Sequence, residues 1–369
     1  MCTDVALKAD PARVSVGHSN QLVELSSGVD SLILSGRAAP SSDLLGRVTE
    51  AQAEARTLGQ SVPFRFGGAD FFVTARSFGR MYPLCLESSA GQIGLRPFGN
   101  IPAVRVQPRA ELLHAVGPAA TVELFDSAVR DEVGYVDWSV NRIDLFADWQ
   151  GLRVDADQLG RFACRGTQNV TRHSGELCTG FQFGNRNSKS FSARLYDKTE
   201  ELKTSGADWL WSEWGELYRE GAPVHRVEFE IRVAGLKSFA LKSPGETLEG
   251  VSDLWHYCTH EWLSLRTEVA DKTKSRWPVD PAWVQIQQSS LRHDELGLAR
   301  IREGKTAGSL RKLMPLLNGC LVSYAVLVDE DTLEGAIAAL PRHVNEYSEV
   351  SGVEFDHRVA NRRADWQGR

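Results

Sequence analysis

Three stretches of the chain alternate apolar and polar side chains, which is the pattern of β-strands with one packed and one polar face. They are NRIDLFADW at residues 141–149, FSARLYDK at residues 191–198 and HRVEFEIRV at residues 225–233. Their polar positions carry acids, arginines and a tyrosine, whereas a merely solvated face usually mixes Thr, Lys, Glu and Gln. If the three strands are neighbours, four carboxylates, several guanidinium groups and one phenol share a single surface.

The middle stretch is the second strand of a predicted β-hairpin over residues 179–201. The first strand ends at Gly184, and a loop of Gly, Asn, Arg, Ser and Lys follows. These residues favour turns, because they tolerate positive φ or bond their own backbone. On the polar face of the second strand, Tyr196 lies between Arg194 and Lys198.

The remaining pattern predicts an α+β protein with an antiparallel or mixed β-sheet and helices packed on one face. A strand is predicted at residues 29–37, and a helix over residues 41–58 starts at a Ser41 or Ser42 cap and ends at Gly59. Several short strands follow in residues 61–107, and further helices are predicted at residues 117–132, 155–163 and 208–218.

Three regions follow from changes in this pattern. Residues 1–25 are polar and predict a flexible lead-in, and residues 26–243 form the α+β domain. Residues 244–369 predict a mainly helical C-terminal region, with helices at 248–269, 281–286, 305–328 and 331–347.

Composition places the chain among ordinary soluble proteins. It has 369 residues, of which 42% are hydrophobic and 24% charged. No apolar run approaches the roughly 20 residues that span a bilayer. The N-terminal residues do not have the pattern of a signal peptide, and six scattered cysteines without a CxxC motif are typical of reduced thiols. We therefore expect a cytoplasmic protein that does not bind membranes.

The formal net charge of −6 argues against nucleic-acid binding, which usually requires a basic surface. The basic residues are local, however. Residues 161–203, which include the hairpin, contain eight Lys or Arg against four Asp or Glu. A positive segment inside an acidic protein is the arrangement that a local phosphate site needs.

Carboxylates grouped with arginine and lysine suit a divalent cation, Mg²⁺ or Mn²⁺, together with a phosphate. A tyrosine can be a covalent nucleophile, but its ordinary pKa of about 10 requires nearby positive charge to activate it. Arg194 and Lys198 are placed to supply that charge, so the predicted chemistry is attack of Tyr196 on a phosphodiester. A structural alternative is that Asp144 and Asp148 form ordinary salt bridges to Arg142 and Arg226 across the sheet, and the same alternative holds for Glu228 and Glu230.

In order and spacing, these residues resemble three motifs of the rolling-circle replication initiators of plasmids and related mobile elements, a family that includes relaxases of conjugative elements. The first motif, R-x-D-L-x-x-D, matches residues 142–148. The second, a glycine-rich basic hairpin that ends in R-x-Y-x-K and is followed by an acid, matches residues 184–200. The third, R-x-E-x-E, matches residues 226–230.

The resemblance implies a DNA-nicking domain in which Tyr196 is the nucleophile, assisted by Arg194 and Lys198. It implies that the partner is DNA, in the form of a single strand or hairpin at an origin or transfer origin. A homodimer is an expected assembly of the chain. Because no nucleotide-binding motif occurs, a host helicase and a host polymerase are expected partners. The implied metal ligands are Asp144, Asp148, Glu228 and Glu230, and the implied DNA contacts are Arg142, Arg186, Lys189 and Arg226.

Three alternatives remain open at the level of sequence. A conjugative relaxase would use the same chemistry, a non-catalytic DNA-binding regulator would bind without cleaving, and an interaction protein would use the charged face to bind another protein. A zinc site at His256 and His260 is disfavoured, because the protease pattern needs Glu where the chain has Tyr257. No His-x-His occurs either, so a metal would depend on carboxylates.

Overall fold

The structure, a computed structural model, describes residues 22–185, 188–291, 321–322, 324–351, 354–357 and 359–360. The chain divides into two compact units, Met1–Ala299 and Arg300–Arg369. Arg186, most of the predicted lead-in and most of the helix predicted at 305–328 lie outside the described residues.

The first unit is built on a large β-sheet. Its strands are β1 (Val23–Arg37), β2 (Val62–Phe66), β3 (Ala69–Val73), β4 (Leu84–Glu87), β5 (Gly91–Leu95), β6 (Val104–Pro108), β7 (Asp137–Gln150), β8 (Phe162–Cys164), β9 (Asn169–Ser174), β10 (Leu177–Phe183), β11 (Phe191–Asp197), β12 (Val224–Arg232) and β13 (Leu263–Leu265). Eleven of the described strands form one antiparallel sheet, in the order β2-β3-β4-β5-β6-β1-β7-β12-β11-β10-β9, and β8 pairs with β13.

Helices follow or interrupt these strands. They are α1 (Ser42–Leu58), α2 (Ala110–Val116), α3 (Pro118–Val133), α4 (Lys198–Ser205), α5 (Trp209–Trp214), α6 (Val233–Lys237), α7 (Pro244–Glu249), α8 (Val251–Tyr257) and α9 (Pro281–Gln287). In the second unit the described residues include α10 (Leu333–Ser351). The predicted fold class, α+β with an antiparallel sheet and a helical C-terminal region, is confirmed. None of the described helices has the length and apolar composition that crossing a membrane requires.

The apolar face of the sheet forms the core with the helices packed on it. Leu145, Val227 and Phe229 are fully buried on this face. Trp255 of α8 packs edge-on against Phe229, with ring centroids 5.4 Å apart, and Trp283 of α9 packs against Phe162 in the same cluster. Alternation in β7 and β12 therefore directs one side of each strand into the core, as expected.

Local sequence signals account for the ends of α1. The Ser41 hydroxyl accepts a hydrogen bond from the Leu44 amide at 3.1 Å, and Gly59 ends the helix in the left-handed region at φ 68°. These ends match the prediction, with Ser41 as the cap.

Two predicted boundaries differ from the structure. The first strand begins at Val23, six residues before the prediction, because the polar residues Ser26 and Ser27 pair with β7 in spite of their low strand propensity. The long helix predicted at residues 248–269 is wrong. The chain leaves the helical conformation after Trp262, and Leu263–Leu265 pairs with β8 instead. Residues 244–291 thus belong to the compact unit that contains the sheet.

Gly180 of β10 lies where β10 and β11 approach each other closely, beside Tyr196. It pairs directly with Tyr196, and a Cβ at this position would lie 2.3 Å from the Leu195 carbonyl oxygen and 2.7 Å from the Tyr196 Cα. Its φ of +153° also favours glycine.

We expect Gly180→Ala to lower the free energy of unfolding by about 2 kcal/mol or more, because the alanine strains the backbone and pushes β10 away from β11. Urea unfolding followed by circular dichroism measures this change. Gly160→Ala is the control, since nothing lies within 4 Å of the added Cβ there. Equal stability of the two variants would contradict the close approach.

Candidate functional site

The three predicted strands are neighbours, and their polar residues lie on one face of the sheet. In antiparallel register, residues directly opposite each other point to the same side. One row joins Tyr196 to Arg226 and Asp148, the next joins Arg194 to Glu228 and Phe146, and a third joins Ser192 to Glu230 and Asp144. The shared surface predicted from alternation therefore exists.

The candidate nucleophile is held by one carboxylate and flanked by two cations. The Tyr196 hydroxyl donates a hydrogen bond to Oε2 of Glu228 at 3.0 Å, while Arg194 forms an ion pair with Oε1 of the same carboxylate. The Arg194 guanidinium lies 5.3 Å from the centre of the tyrosine ring and the Lys198 ammonium 5.8 Å from it. Lys198 itself is paired with Glu201 at 2.7 Å.

These contacts shift the Tyr196 pKa in the direction opposite to the expected activation. Burial and the negative charge of Glu228 raise the pKa well above its ordinary value, and they outweigh the lowering effect of Arg226 and Arg194. The phenol is therefore protonated in the free protein. Its contact with Glu228 provides the route by which a proton can leave.

Three carboxylates crowd the polar face beside the tyrosine. Asp144 is buried and accepts a hydrogen bond from Nε of Arg142 at 2.8 Å, and Arg142 also lies 3.0 Å from Glu230. Burial raises the pKa of Asp144 to about 7, and the charges of Glu228 and Glu230 add to this effect. Oxygen donors that repel one another are the kind of ligand set that a hard divalent cation stabilises, so Asp144, Glu228 and Glu230 fit a metal.

Asp148 and Arg226 occupy a different environment. Arg226 is fully buried and donates from Nε and Nη2 to the two oxygens of Asp148 at 2.7 and 2.8 Å, and the Trp214 indole donates to Oδ2 at 2.9 Å. Both carboxylate oxygens are thus occupied, and neither side chain reaches solvent. The structural alternative of an ordinary salt bridge describes this pair, and we include neither residue among the metal ligands or DNA contacts proposed below.

The predicted DNA contacts are spread over the face. Arg142 lies with the crowded carboxylates, whereas exposed Lys189 lies in the hairpin loop, seven residues before Tyr196 and roughly 20 Å away along the strand. Arg186 is outside the described residues. The structure therefore brings together Tyr196, Arg194, Lys198 and Glu228, with Asp144 and Glu230 adjacent.

A cleft of about 440 Å³ opens beside the tyrosine. Asp30, Arg172, Arg194, Tyr196 and Lys198 are among its lining residues, and so are several hydroxyl-bearing and acidic side chains of β9 and α4. Arg172, Arg194 and Lys198 face four acids in this lining, so a phosphate that binds here must compete with existing ion pairs such as that of Lys198 with Glu201.

Sequence analysis missed a second charged group under this cleft, formed by Asp30, His114 and Glu213. His114 Nδ1 lies 2.7 Å from Glu213 Oε2, and its Nε2 lies 3.4 Å from Asp30 Oδ1. Asp30 in turn accepts from Arg226 Nη1 at 2.6 Å. The imidazole stacks on Phe146 with ring centroids 4.7 Å apart. The three residues come from β1, α2 and α5, and no sequence spacing connects them.

The pKa values of this group are linked. Burial would raise the pKa of Asp30, but Arg226 and His114 hold it below its ordinary value. Burial would lower the pKa of His114, but its bonds to Asp30 and Glu213 raise it above the ordinary value. The group is therefore an ion network rather than a set of neutral side chains.

Two further observations concern metals. Among the described residues, no cluster of three or more His, Cys, Asp or Glu side chains has a ready-made metal-binding arrangement. His256 and His260 stack with ring centroids 3.9 Å apart, so they do not enclose a cation between them. The fit of Asp144, Glu228 and Glu230 to a metal thus depends on their donor chemistry and mutual repulsion.

Comparisons with known proteins give likenesses to three chains of solved structures. The chain matches no protein-family model and no curated protein. A solved structure described as the rolling circle replication initiator protein from Geobacillus stearothermophilus aligns with 73% of this chain and 96% of its own, at 13% sequence identity and a TM-score of 0.43. A likeness of this size does not assign a family or an activity to the chain.

The buried Arg226 network predicts a large loss of stability when its cation is removed. We expect Arg226→Met to lower the free energy of unfolding by about 3–5 kcal/mol, because it leaves two carboxylates, Asp148 and Asp30, without their cation. The matched control is Arg232→Met on the same strand. Its side chain is 39% exposed, so we expect a loss below about 1 kcal/mol. Urea titration of both variants measures the difference, and similar losses would contradict a structural role specific to Arg226.

The raised pKa of His114 predicts a pH-dependent contribution to stability. The folded protein binds the proton more tightly than the unfolded chain, so the stabilisation is present below pH 6.5 and is lost as pH rises through the folded-state pKa. We expect His114→Gln to flatten the fall in unfolding free energy above pH 6.5, measured by urea titration at successive pH values. His173→Gln, on exposed edge strand β9, is the control. Parallel pH profiles for wild type and His114→Gln would refute the assignment.

Proposed function

We propose that the chain is a metal-dependent DNA nickase and strand transferase that uses Tyr196 as its nucleophile. The observation that supports this most directly is the hydrogen bond from the Tyr196 hydroxyl to Glu228 inside a cleft flanked by Arg194 and Lys198. A phenol is a poor nucleophile at neutral pH unless a base accepts its proton, and Glu228 is at hydrogen-bond distance to do so.

The Tyr196 oxygen attacks the phosphorus of a phosphodiester, and its proton passes to Glu228. The bond between phosphorus and the 3′ oxygen breaks, so the 5′ phosphate remains on the tyrosine and the 3′ oxygen leaves with a proton from water. As Glu228 becomes neutral, the charge of Arg194 is no longer balanced by it. Together with Lys198, Arg194 can then stabilise the negative charge on the phosphoryl oxygens.

Asp144 and Glu230 are the proposed ligands of the cation, since Glu228 is the base that accepts the Tyr196 proton. A bound Mg²⁺ or Mn²⁺ would polarise a phosphoryl oxygen and orient the phosphate. Arg142 neutralises this carboxylate group in the free protein, through its contacts with Asp144 and Glu230. Asp148 is excluded because its partners Arg226 and Trp214 are fully buried, whereas Arg142, the partner of Asp144, is partly exposed and can turn away from it.

In the cell we place this step at the start of rolling-circle replication, as the order of the three sequence motifs implies. The free 3′-hydroxyl would prime a host polymerase, and a host helicase would separate the strands. A conjugative relaxase would perform the same step at a transfer origin.

A non-catalytic DNA-binding regulator is the second candidate, and one observation favours it. The carboxylates of the face are paired with arginines, Asp144 with Arg142, Glu228 with Arg194 and Asp148 with Arg226. A face whose acids are neutralised in this way could bind DNA without a cation. This candidate predicts metal-independent DNA binding and no cleavage.

We expect wild-type protein to form a covalent DNA adduct with a randomised pool of single strands and hairpins in the presence of Mg²⁺ or Mn²⁺. The adduct should disappear in Tyr196→Phe and with a chelator, because both the nucleophile and the cation are required. A denaturing gel resolves the adduct from free protein. Tyr135→Phe is the matched control, since this tyrosine is 74% exposed and its ring contacts Arg130 rather than the residues of the site, and it should retain the adduct.

The other outcomes distinguish the nickase from the regulator. An equal adduct from Tyr196→Phe would exclude this tyrosine as the nucleophile. Absence of any adduct, combined with salt-dependent DNA binding that ignores the chelator, would favour the regulator. Absence of both adduct and binding would contradict both candidates.

A further inference from the structure

The polar face continues past the carboxylates onto β7, β1 and β6. Arg232 of β12 pairs with Arg142 of β7, and Arg105 of β6 pairs with Ser35 of β1, which in turn pairs with Ser139 of β7. The core-facing neighbours Leu34 and Val106 are fully buried, which places Arg105 on the opposite, polar side. Three arginines therefore lie along this end of the face.

Arg105 differs from the other two arginines in having no acidic partner. Arg142 pairs with Asp144 and Glu230, and Arg232 pairs with Glu230. Within the described residues Arg105 forms no ion pair, and its Nε is buried without a hydrogen-bond partner. Its guanidinium lies 5.2 Å from the centre of the ring of Phe78, a residue of the loop before β4.

An unpaired buried guanidinium nitrogen is costly, because nearly all buried polar groups in folded proteins are hydrogen-bonded. The electrostatics agree with the geometry. Burial lowers the pKa of Arg105, Tyr82 opposes this effect, and the positive charges of Arg232 and Arg142 lower the pKa further. Arg105 is therefore repelled by the other two guanidinium groups across the strands, and an anion placed among the three would relieve that repulsion.

We propose that Arg105, together with Arg142 and Arg232, forms a phosphate-binding subsite that holds a backbone phosphate of the substrate strand at a distance from Tyr196. This inference rests on the proposed function for the identity of its ligand. The planar guanidinium suits a phosphate, since it presents several donors in a fixed fork.

The register sets the length of strand that the subsite requires. The row of Tyr196 reaches Asp148 of β7, and the row of Arg105 reaches Ser139, nine residues further along β7 or roughly 30 Å. β6 is four strands away from β11, which adds about 19 Å sideways. At about 3.4 Å per nucleotide of a stacked strand, 4 nucleotides cannot span the combined distance of roughly 35 Å, whereas 16 nucleotides can. An oligonucleotide that is too short cannot contact both places.

The test measures binding without cleavage, in the Tyr196→Phe background. The protein is titrated at several salt concentrations with a single-stranded oligonucleotide of 4 nucleotides. It is also titrated with two long series of 16 nucleotides, which extend the same 4 nucleotides on the 5′ side or on the 3′ side. We expect Arg105→Gln to weaken binding of one long series at least about fivefold. The magnitude of the slope of log K against log salt should fall by about 0.7, the loss of one phosphate contact on a single strand. Binding of the short oligonucleotides should not change.

Two controls separate charge from position. Arg65→Gln removes the same charge from an exposed arginine of β2 that pairs with Asp70, and it should leave the slope unchanged. Arg105→Lys keeps the charge but loses the fork, so it should retain the slope and show a smaller loss of affinity. Thermal unfolding of each variant confirms that the fold is intact.

The outcomes distinguish the inference from the function on which it rests. If the parent protein binds neither length, the proposed function fails. If it binds both lengths but Arg105→Gln behaves as Arg65→Gln does, the subsite is refuted and the function stands. Inorganic phosphate, titrated separately, gives the third arm. Arg105-dependent binding of free phosphate, without any effect on the long strands, would show that the subsite takes a free anion and would overturn the proposal.

Discussion

The arrangement of the site depends on one buried cation, Arg226. Its guanidinium is fully buried, bonds Asp148 on β7 and Asp30 on β1, and lies 4.1 Å from the centre of the Phe146 ring. Buried ion pairs contribute little net stability, because desolvation offsets the attraction, but they are strongly unfavourable when a partner is missing. Any slip of β12 against β7 would leave two carboxylates and one arginine unpaired, so the network selects a single register.

This register determines which carboxylates can bind a cation or accept a proton. Asp148 is bonded by the fully buried side chains of Arg226 and Trp214. The carboxylates near Tyr196 that can still change partners are therefore Asp144, Glu228 and Glu230. Asp144 has its pKa raised to about 7 because it is buried among like charges, which is unfavourable for the free protein. Such unfavourable crowding is common at functional sites, and here it lies two strands from the phenol.

Alternation in the sequence was sufficient to predict that β7, β11 and β12 share a polar face, since side chains at every second position must point the same way. It was insufficient to show which part of the face is covered. Trp214 of α5 closes over Asp148, and α5 contributes too short a segment for its packing side to be read from periodicity. Asp30 and His114 were missed for a related reason, because they meet only through the long-range pairing of β1 and α2 with the face.

The protonation state of Tyr196 is linked to the ion pair between Arg194 and Glu228. In the free protein the phenol is protonated, since burial and the charge of Glu228 both raise its pKa. The same carboxylate is the group that can accept the proton, and it is held by Arg194 until that happens. A phosphate that enters the cleft competes for Arg194, which weakens its hold on Glu228 and makes the carboxylate a stronger base. In the proposed function, substrate binding and activation of Tyr196 are therefore coupled through Arg194, and the phenol would become reactive only when a phosphate is in place.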